Sequence, residues 1–173
     1  MTLANKITVL RIIAIPLFVI ALLEHSMRIA QMIFVLSVFS DALDGTIARL
    51  RRERTPLGTF LDPLADKTLL VSGFIVFTYL HWIPVWIFIA ILSRDVLIIM
   101  GWTLVYILTN NSKIQPRPLG KVTTALQMAV SVSLLFNFSD PLRTSLLYFM
   151  IAATILSALD YVWMGNKRLG ALG

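Results

Sequence analysis

The chain has 173 residues, of which 58% are apolar and 14% charged, and this composition excludes an ordinary water-soluble globule. It contains no cysteine, which excludes disulfides, thiolate nucleophiles and Cys-ligated metals, and its two histidines leave little for a histidine-based metal site. Because the chain is built from long apolar stretches, its net charge of +6 indicates membrane orientation and anionic lipid head groups, not nucleic acid.

The apolar stretches follow one another along the whole chain with only short polar breaks, and a membrane-spanning helix needs roughly 20 such residues. They predict six transmembrane helices at residues 7–23, 30–50, 59–80, 83–108, 119–138 and 142–163. No internal repeat, low-complexity tract or long linker interrupts the series. We therefore expect an all-α membrane bundle that forms a single domain over residues 1–173.

Lysine and arginine concentrate at one set of helix ends. The opposite ends carry only Arg28 and Arg143. The positive-inside rule then predicts that both termini lie in the cytoplasm. We also expect the chain to lie in the cell (inner) membrane. The basic residues on the predicted cytoplasmic side are Lys6, Arg49, Arg51, Arg52, Arg54, Lys113, Arg117, Lys167 and Arg168.

Aromatic and histidine residues near the helix ends have simple interpretations. Trp82, Trp86 and Trp163 are typical of the aromatic belt at a membrane surface. His25 and His81 fall in predicted outer turns without neighbouring ligands, so we expect ordinary exposed histidines.

Four aspartates lie where a charge is costly, on the order of 3 kcal/mol inside a membrane span. Asp41 and Asp44 lie in the cytoplasmic half of the second span, and Asp62 and Asp66 at the start of the third. Spacings of three and four place each pair on one helix face. The short polar connection at 51–57 makes the two spans antiparallel neighbours, which predicts one acidic cluster.

Four facing carboxylates repel one another unless a cation lies between them. Hard divalent ions such as Mg²⁺ prefer carboxylate oxygens and complete their shell with water and substrate phosphates, and two ions about 4 Å apart suit four aspartates around a phosphoryl group. The alternative is a set of capping or salt-bridged aspartates near Arg49 and Lys67, which would account for Asp62 but poorly for the other three.

Small residues accompany the aspartates. Gly45 and Ala48 follow the first pair, and Gly58 lies one turn before the second, leaving bare backbone where a flat group could approach. Arg49 supplies a planar donor fork suited to phosphate. As alternatives, small residues also serve close helix packing, and Arg49 also obeys the positive-inside rule.

These residues form one continuous pattern, Asp41-x-x-Asp44-Gly45-x-x-Ala48-Arg49, eight residues, then Gly58-x-x-x-Asp62-x-x-x-Asp66. The pattern resembles the signature of the CDP-alcohol phosphotransferase family at every defined position. The resemblance implies an integral membrane enzyme, expected as a homodimer, that moves a substituted phosphoryl group from a CDP-linked lipid such as CDP-diacylglycerol to an alcohol and releases CMP.

The resemblance also implies a role for each residue of the pattern. The metal would be Mg²⁺ or Mn²⁺. Asp41, Asp44 and Asp62 take metal-ligand positions, and Asp66 takes the position of ligand and general base. The positions that contact CDP are those of Asp44, Gly45, Ala48, Arg49 and Gly58.

The acceptor must be recognised by residues outside this pattern. Arg94 lies about midway along the fourth span beside Asp95, and adjacent residues do not share a helix face, so we expect that they do not satisfy one another. A phosphate-bearing acceptor would provide a partner for Arg94 and Lys121, with Arg117 nearby. The alternative is an interhelical ion pair of Arg94, for example with Asp160.

Two weaker patterns bear on the acceptor, Asn5-x-x-Thr8-x-x-Arg11 and the stretch from Gly120-Lys121 to Gln127-Met128. Both resemble the phosphatidylglycerophosphate synthase branch, which implies sn-glycerol 3-phosphate as acceptor. Cardiolipin synthases carry similar stretches, so phosphatidylglycerol is an alternative acceptor, and inositol phosphate and serine are further alternatives. Polar residues at this spacing also serve as interhelical hydrogen-bonding partners.

Intramembrane carboxylates together with an arginine are also found in cation- or proton-coupled transporters. Transporter sites, however, usually lie near the midplane between broken helices. Here the aspartates lie toward the cytoplasmic ends of their spans, and no pair of Gly/Pro-interrupted spans is present. The sequence therefore favours the transferase.

Overall fold

A computed structural model describes the backbone of residues 3–51, 56–109 and 118–169, and the surroundings of side chains at 8–40, 64–101, 103, 107 and 118–164. This backbone forms six helices, and no strand occurs in the described ranges. The prediction of an all-α fold is confirmed for these residues. The helices are α1 (Leu3–Leu23), α2 (Met27–Arg51), α3 (Pro56–Tyr79), α4 (Val85–Thr109), α5 (Pro118–Leu135) and α6 (Asp140–Leu169).

Each helix lies over one predicted span, and the differences are at the ends. α1 begins at Leu3 instead of residue 7, and α6 continues to Leu169 instead of ending at 163. Apolar patterning locates the part of a helix that avoids water, whereas backbone hydrogen bonding continues into the polar residues beyond it. α5 ends earlier than predicted, at Leu135, because left-handed backbone at Asn137 (φ 50°) cannot continue a right-handed helix.

One segment in the described ranges is long and apolar enough to cross a membrane by length and composition, Asp140–Met164 in α6. Thr8–Leu23 in α1 and Met27–Ser40 in α2 are apolar but shorter. Large apolar side chains nevertheless cover the outward faces of the helices. On α1 these are Leu10, Ile13, Leu17 and Ile20, each at least half exposed.

Residues Met1–Trp82 form one compact unit, in which α1 contacts both α2 and α3. Phe18 of α1 packs on Phe34 of α2 with ring centroids 5.9 Å apart. α3 presents Gly73 to the same ring, where a Cβ would lie 3.4 Å from Phe18 Cε1. The buried face of α1 follows helical spacing of three and four. Its members are Thr8, Arg11, Ile15, Phe18 and Leu22.

Residues Ile83–Gly173 form a second compact unit, in which α6 contacts α4 and α5. Thr123 Oγ1 donates to the Leu119 carbonyl of its own helix at 2.9 Å and to the Ala153 carbonyl of α6 at 3.3 Å. Small and hydroxyl-bearing residues allow such close approach of helices and are typical of helix contacts in membranes. The buried small or polar residues of α5 and α6 include Thr123, Gln127, Ser131, Thr154 and Ser157.

α1, α3 and α5 end in the same backbone arrangement. Left-handed residues follow them, His25 (φ 55°), His81 (φ 59°) and Asn137 (φ 50°). The amide of the next residue in each case donates to the carbonyl five residues earlier, at 2.8 to 3.0 Å. This is the Schellman arrangement, which satisfies carbonyls at a helix end. The prediction that both histidines are exposed turn residues is confirmed.

Candidate functional site

The aspartate motif occupies the end of α2 and the start of α3. The backbone is helical at all four aspartates, so the spacings of three and four place each pair one turn apart on one helix face. Convergence of the four carboxylates stays a prediction. Outside the described side chains lie Asp41, Asp44, Asp62 and the expected CDP contacts Gly45, Ala48, Arg49 and Gly58.

Asp66 is the motif aspartate whose side chain is described, and Arg11 of α1 holds it. Arg11 Nη1 donates to Asp66 Oδ1 at 2.7 Å, a distance typical of a charge-assisted hydrogen bond. The Arg11 side chain is 1% exposed, whereas that of Asp66 is 24% exposed. A buried cation on a neighbouring helix therefore fixes one side of the carboxylate while part of the group stays accessible.

Arg11 belongs to the pattern Asn5-x-x-Thr8-x-x-Arg11 noted in the sequence but is absent from the predicted site residues, although two further signals point to it. A charge within the apolar stretch of α1 is costly unless it is paired. The spacing of Thr8 and Arg11 also puts them on one helix face, and both are buried. The identity of the partner cannot be read from local spacing, because Asp66 lies 55 residues away on another helix.

The buried residues of α2 share a helix face with the positions of the first aspartate pair. Ala30, Phe34 and Ser37 are buried at spacings of four and three, and the same register continues along the helical backbone through positions 41, 44 and 48. In α3 the register of Asp66 runs back through positions 62 and 58. Positions 41, 44 and 48 therefore lie on the same face of the α2 backbone as the buried residues Ala30, Phe34 and Ser37.

A divalent cation fits the chemistry of this donor set. Carboxylate oxygens are the ligands that Mg²⁺ prefers, and a carboxylate has about four lone-pair sites, of which Arg11 Nη1 occupies one on Asp66. Among the described side chains, no group of three or more His, Asp or Glu could hold a metal ion. Three of the four motif aspartates lie outside that set.

Arg94, which the sequence predicts to bind the acceptor, is buried within Ile83–Gly173 and ion-paired. Its Nη1 lies 2.9 Å from Asp95 Oδ1, with both side chains 8% exposed. Nε and Nη2 donate to Ser157 Oγ of α6 at 3.2 and 2.8 Å. The expectation that Arg94 and Asp95 do not satisfy one another is wrong, because the long arginine side chain can curve back to the adjacent carboxylate. The ion pair shown is with Asp95 on the same helix, and the alternative of an interhelical pair, for example with Asp160, stays a prediction.

Gly120 of α5 lies against the same guanidinium. A Cβ at this position would lie 3.1 Å from Arg94 Nη2 and 3.8 Å from the Tyr161 hydroxyl oxygen, so an alanine here would require the guanidinium to shift slightly. Lys121, the next residue, is exposed. The third predicted acceptor contact, Arg117, lies outside the described residues.

The sequence model of the CDP-alcohol phosphatidyltransferases matches residues 1–160 of this chain. The match covers both halves of the aspartate motif and most of the second unit. This chain belongs to the CDP-alcohol phosphatidyltransferase family. The family membership inferred from the resemblance at residues 41–66 is therefore confirmed.

Several relatives in the family are similar over almost the whole chain. A probable phosphatidylglycerophosphate synthase of Mycobacterium tuberculosis is 31% identical over 180 residues, covering 98% of this chain and 84% of the relative. A CDP-diacylglycerol–glycerol-3-phosphate 3-phosphatidyltransferase of Haemophilus influenzae is 33% identical over 172 residues, covering 94% and 92%. A CMP-forming cardiolipin synthase of Homo sapiens is 33% identical over 189 residues, covering 97% and 63%.

Proposed function

We propose that this chain transfers the phosphatidyl group of CDP-diacylglycerol to sn-glycerol 3-phosphate, forming phosphatidylglycerophosphate and releasing CMP. The observation that carries the proposal is the aspartate motif of residues 41–66 on two helical segments, with Asp66 held by Arg11 yet partly accessible. Family membership over residues 1–160 supports it. So do the relatives from Haemophilus influenzae and Bacillus subtilis, which are named for this reaction.

The reaction exchanges one bond to phosphorus for another. The acceptor hydroxyl oxygen bonds to the phosphorus that carries the diacylglycerol. The bond from that phosphorus to the bridging oxygen of the diphosphate breaks, and CMP leaves with that oxygen. Asp66 is the proposed general base that takes the hydroxyl proton. Its partial exposure allows a polar acceptor to approach, and its contact with Arg11 fixes its position, which general-base catalysis requires.

Metal and nucleotide contacts are assigned to the rest of the motif. Mg²⁺ or Mn²⁺, as two ions, would be held by the four aspartates, and when bound would stabilise negative charge on the diphosphate oxygens. The shared helical register within each pair supports this assignment. The proposed ligands are Asp41, Asp44, Asp62 and Asp66, and the proposed CDP contacts are Asp44, Gly45, Ala48, Arg49 and Gly58.

We further propose that the six helices cross the cell (inner) membrane as a single domain, with both termini and the active site on the cytoplasmic side. The apolar segment Asp140–Met164 and the exposed apolar side chains of α1 support burial in lipid. In this arrangement the acyl chains of the donor stay in the bilayer while its head group reaches the aspartates. Assembly as a homodimer is proposed from the family resemblance.

The acceptor is proposed from the cations of the second unit. Lys121 is exposed at the start of α5, where it could meet a phosphate directly. Arg94 is buried and already bonded to Asp95 and Ser157. It would therefore act on the acceptor phosphate through its positive charge, from a position next to Gly120. Arg117 completes the proposed set.

A second candidate acceptor is phosphatidylglycerol, which would give cardiolipin. The human cardiolipin synthase is similar to this chain over 97% of the chain's length, which supports phosphatidylglycerol as the second candidate acceptor. Inositol phosphate and serine would use the same chemistry. Family membership argues against a cation- or proton-coupled transporter.

One assay tests these assignments. Purified protein receives CDP-diacylglycerol, Mg²⁺ and one labelled acceptor at a time: sn-glycerol 3-phosphate, phosphatidylglycerol, inositol phosphate or serine. We expect CMP and phosphatidylglycerophosphate with the first, loss of product on chelation, and restoration by Mg²⁺ or Mn²⁺. Cardiolipin as the product would select the second candidate, and no CMP with any acceptor would contradict the proposal.

Asp66→Asn is the matched variant in the same assay. Loss of the base should lower kcat by roughly 10² to 10⁴, while the protein stays folded and still binds CDP-diacylglycerol. Parent-like turnover by Asp66→Asn would remove Asp66 as the base but leave the reaction itself in place.

A further inference from the structure

Arg11 is a buried cation outside the aspartate motif of residues 41–66, and it contacts the proposed base directly. Its side chain is 1% exposed, and its Nη1 lies 2.7 Å from Asp66 Oδ1. We infer that Arg11 is a positioning residue: it holds Asp66 by Oδ1 and so fixes the orientation in which this partly exposed carboxylate meets the acceptor hydroxyl. This inference rests on the role proposed above for Asp66.

The packing around Arg11 gives the guanidinium a defined location. Thr8 and Ile15, one turn to either side on α1, are buried. Ala65, the neighbour of Asp66, is fully buried as well. A cation enclosed in this way has few rotamers open to it, so the hydrogen bond that it donates holds the carboxylate in one orientation.

The chemistry of the guanidinium suits this task. Arginine does not lose its proton in proteins, so it can hold a carboxylate without exchanging a proton with it. Its planar group also defines a direction for the bond, which an ammonium does not. Because small displacements of a catalytic group can lower the rate by large factors, a change in the orientation of Asp66 should lower kcat.

The two buried arginines have partners of different exposure. The Arg94–Asp95 pair is sealed at 8% exposure on both sides. Asp66, by contrast, is 24% exposed and belongs to the motif. Arg11 thus holds the carboxylate from a buried position, while the Asp66 side chain stays partly exposed.

The test is a double-mutant cycle on Arg11 and Asp66, with kcat for CMP release and KM for CDP-diacylglycerol measured in each protein. Arg11→Gln should lower kcat roughly 10- to 100-fold, as loss of a group that orients a functional residue does, with donor KM within about threefold of the parent. Arg11→Lys should recover part of the rate. In the Asp66→Asn background, Arg11→Gln should have less than about a threefold further effect, because it acts through Asp66.

The control is Arg28→Ala, which removes an exposed arginine at the start of α2 and should leave kcat unchanged. Multiplicative losses in the double variant would overturn the inference, as would parent-like kcat in Arg11→Gln. Thermal midpoints in detergent monitor folding. If Arg11→Gln fails to fold, Arg11→Lys takes its place, and an unchanged kcat there overturns the inference.

A second readout does not depend on turnover. Mn²⁺ affinity, measured by electron paramagnetic resonance, should fall about tenfold in Arg11→Gln, because a proposed ligand loses its fixed orientation. If Arg11 only repels the ion, the affinity should rise, which would overturn the inference. Absence of CMP release by the parent would instead contradict the proposed function, and the Mn²⁺ result would still decide the role of Arg11.

Discussion

Arg11 in the first unit and Arg94 in the second are both buried, and each donates through Nη1 to an aspartate, at 2.7 and 2.9 Å. Arg11 reaches a carboxylate 55 residues away that is 24% exposed. Arg94 reaches its neighbour, which is 8% exposed, and is tied to Ser157 of α6. Burial of a cation is thus the same in both regions. The two partners differ in accessibility: Asp66, the proposed base, is partly exposed, whereas Asp95 is enclosed in packing.

The largest effect that would sharpen this comparison is expected from Arg94→Ala. It leaves the Asp95 carboxylate buried without its cation, which costs roughly 3 to 5 kcal/mol, so the thermal midpoint in detergent should fall sharply. Replacing both members, as Arg94→Met with Asp95→Leu, should recover most of the stability. A single variant as stable as the parent would contradict the view of a sealed pair.

Kinetics of Arg94→Ala, in preparations that stay folded, test its second proposed role. If the guanidinium contributes to acceptor binding, KM for sn-glycerol 3-phosphate should rise far more than KM for CDP-diacylglycerol. Equal changes in the two KM values would assign Arg94 a structural role alone, unlike the positioning role proposed for Arg11.

A smaller effect is expected from Gly120→Ala, which places a methyl group 3.1 Å from Arg94 Nη2. Because Ser157 and Asp95 hold that guanidinium, the clash should cost about 1 kcal/mol of stability. The matched control is Gly101→Ala in α4, where a Cβ meets nothing within 4 Å and where alanine should stabilise by up to about 1 kcal/mol.

The Gly120 penalty should disappear in the Arg94→Ala background, because the two sites are in contact. Unfolding midpoints of the single and double variants measure this coupling. Additive effects would show that Gly120 is small for a reason other than Arg94.

The smallest change in stability is expected at the helix ends, where His81 in the first unit and Asn137 in the second both have left-handed backbone. His81→Gly should stabilise by about 0.5 to 1 kcal/mol, because glycine accepts left-handed backbone without the Cβ penalty. His81→Ala keeps the Cβ and should bring no gain. Asn137→Gly should gain less, since asparagine already tolerates this conformation. A larger gain at Asn137 would contradict the explanation by backbone strain.

Local patterns predicted much of this molecule. Apolar stretches located the six helices because lipid-facing or buried segments must be apolar over many residues, and only the helix ends were misplaced. The pattern of residues 41–66 identified the family through its resemblance to the family signature, which the family match over residues 1–160 confirms. The turn residue Asn137, which ends α5, carries a weaker signal, and the end of that helix was predicted three residues late.

The order of residues along the chain was enough to determine the helical fold, the aspartate motif and the family, since each depends on short spacings. Only the tertiary structure decided which carboxylate each buried arginine meets. Arg11 pairs with a distant aspartate because α1 packs on α3, and Arg94 curves to Asp95 because Ser157 of α6 and Gly120 of α5 define the space around it. Partner choice of a long, flexible cation depends on the surfaces that surround it, and those surfaces are assembled from segments far apart in the sequence.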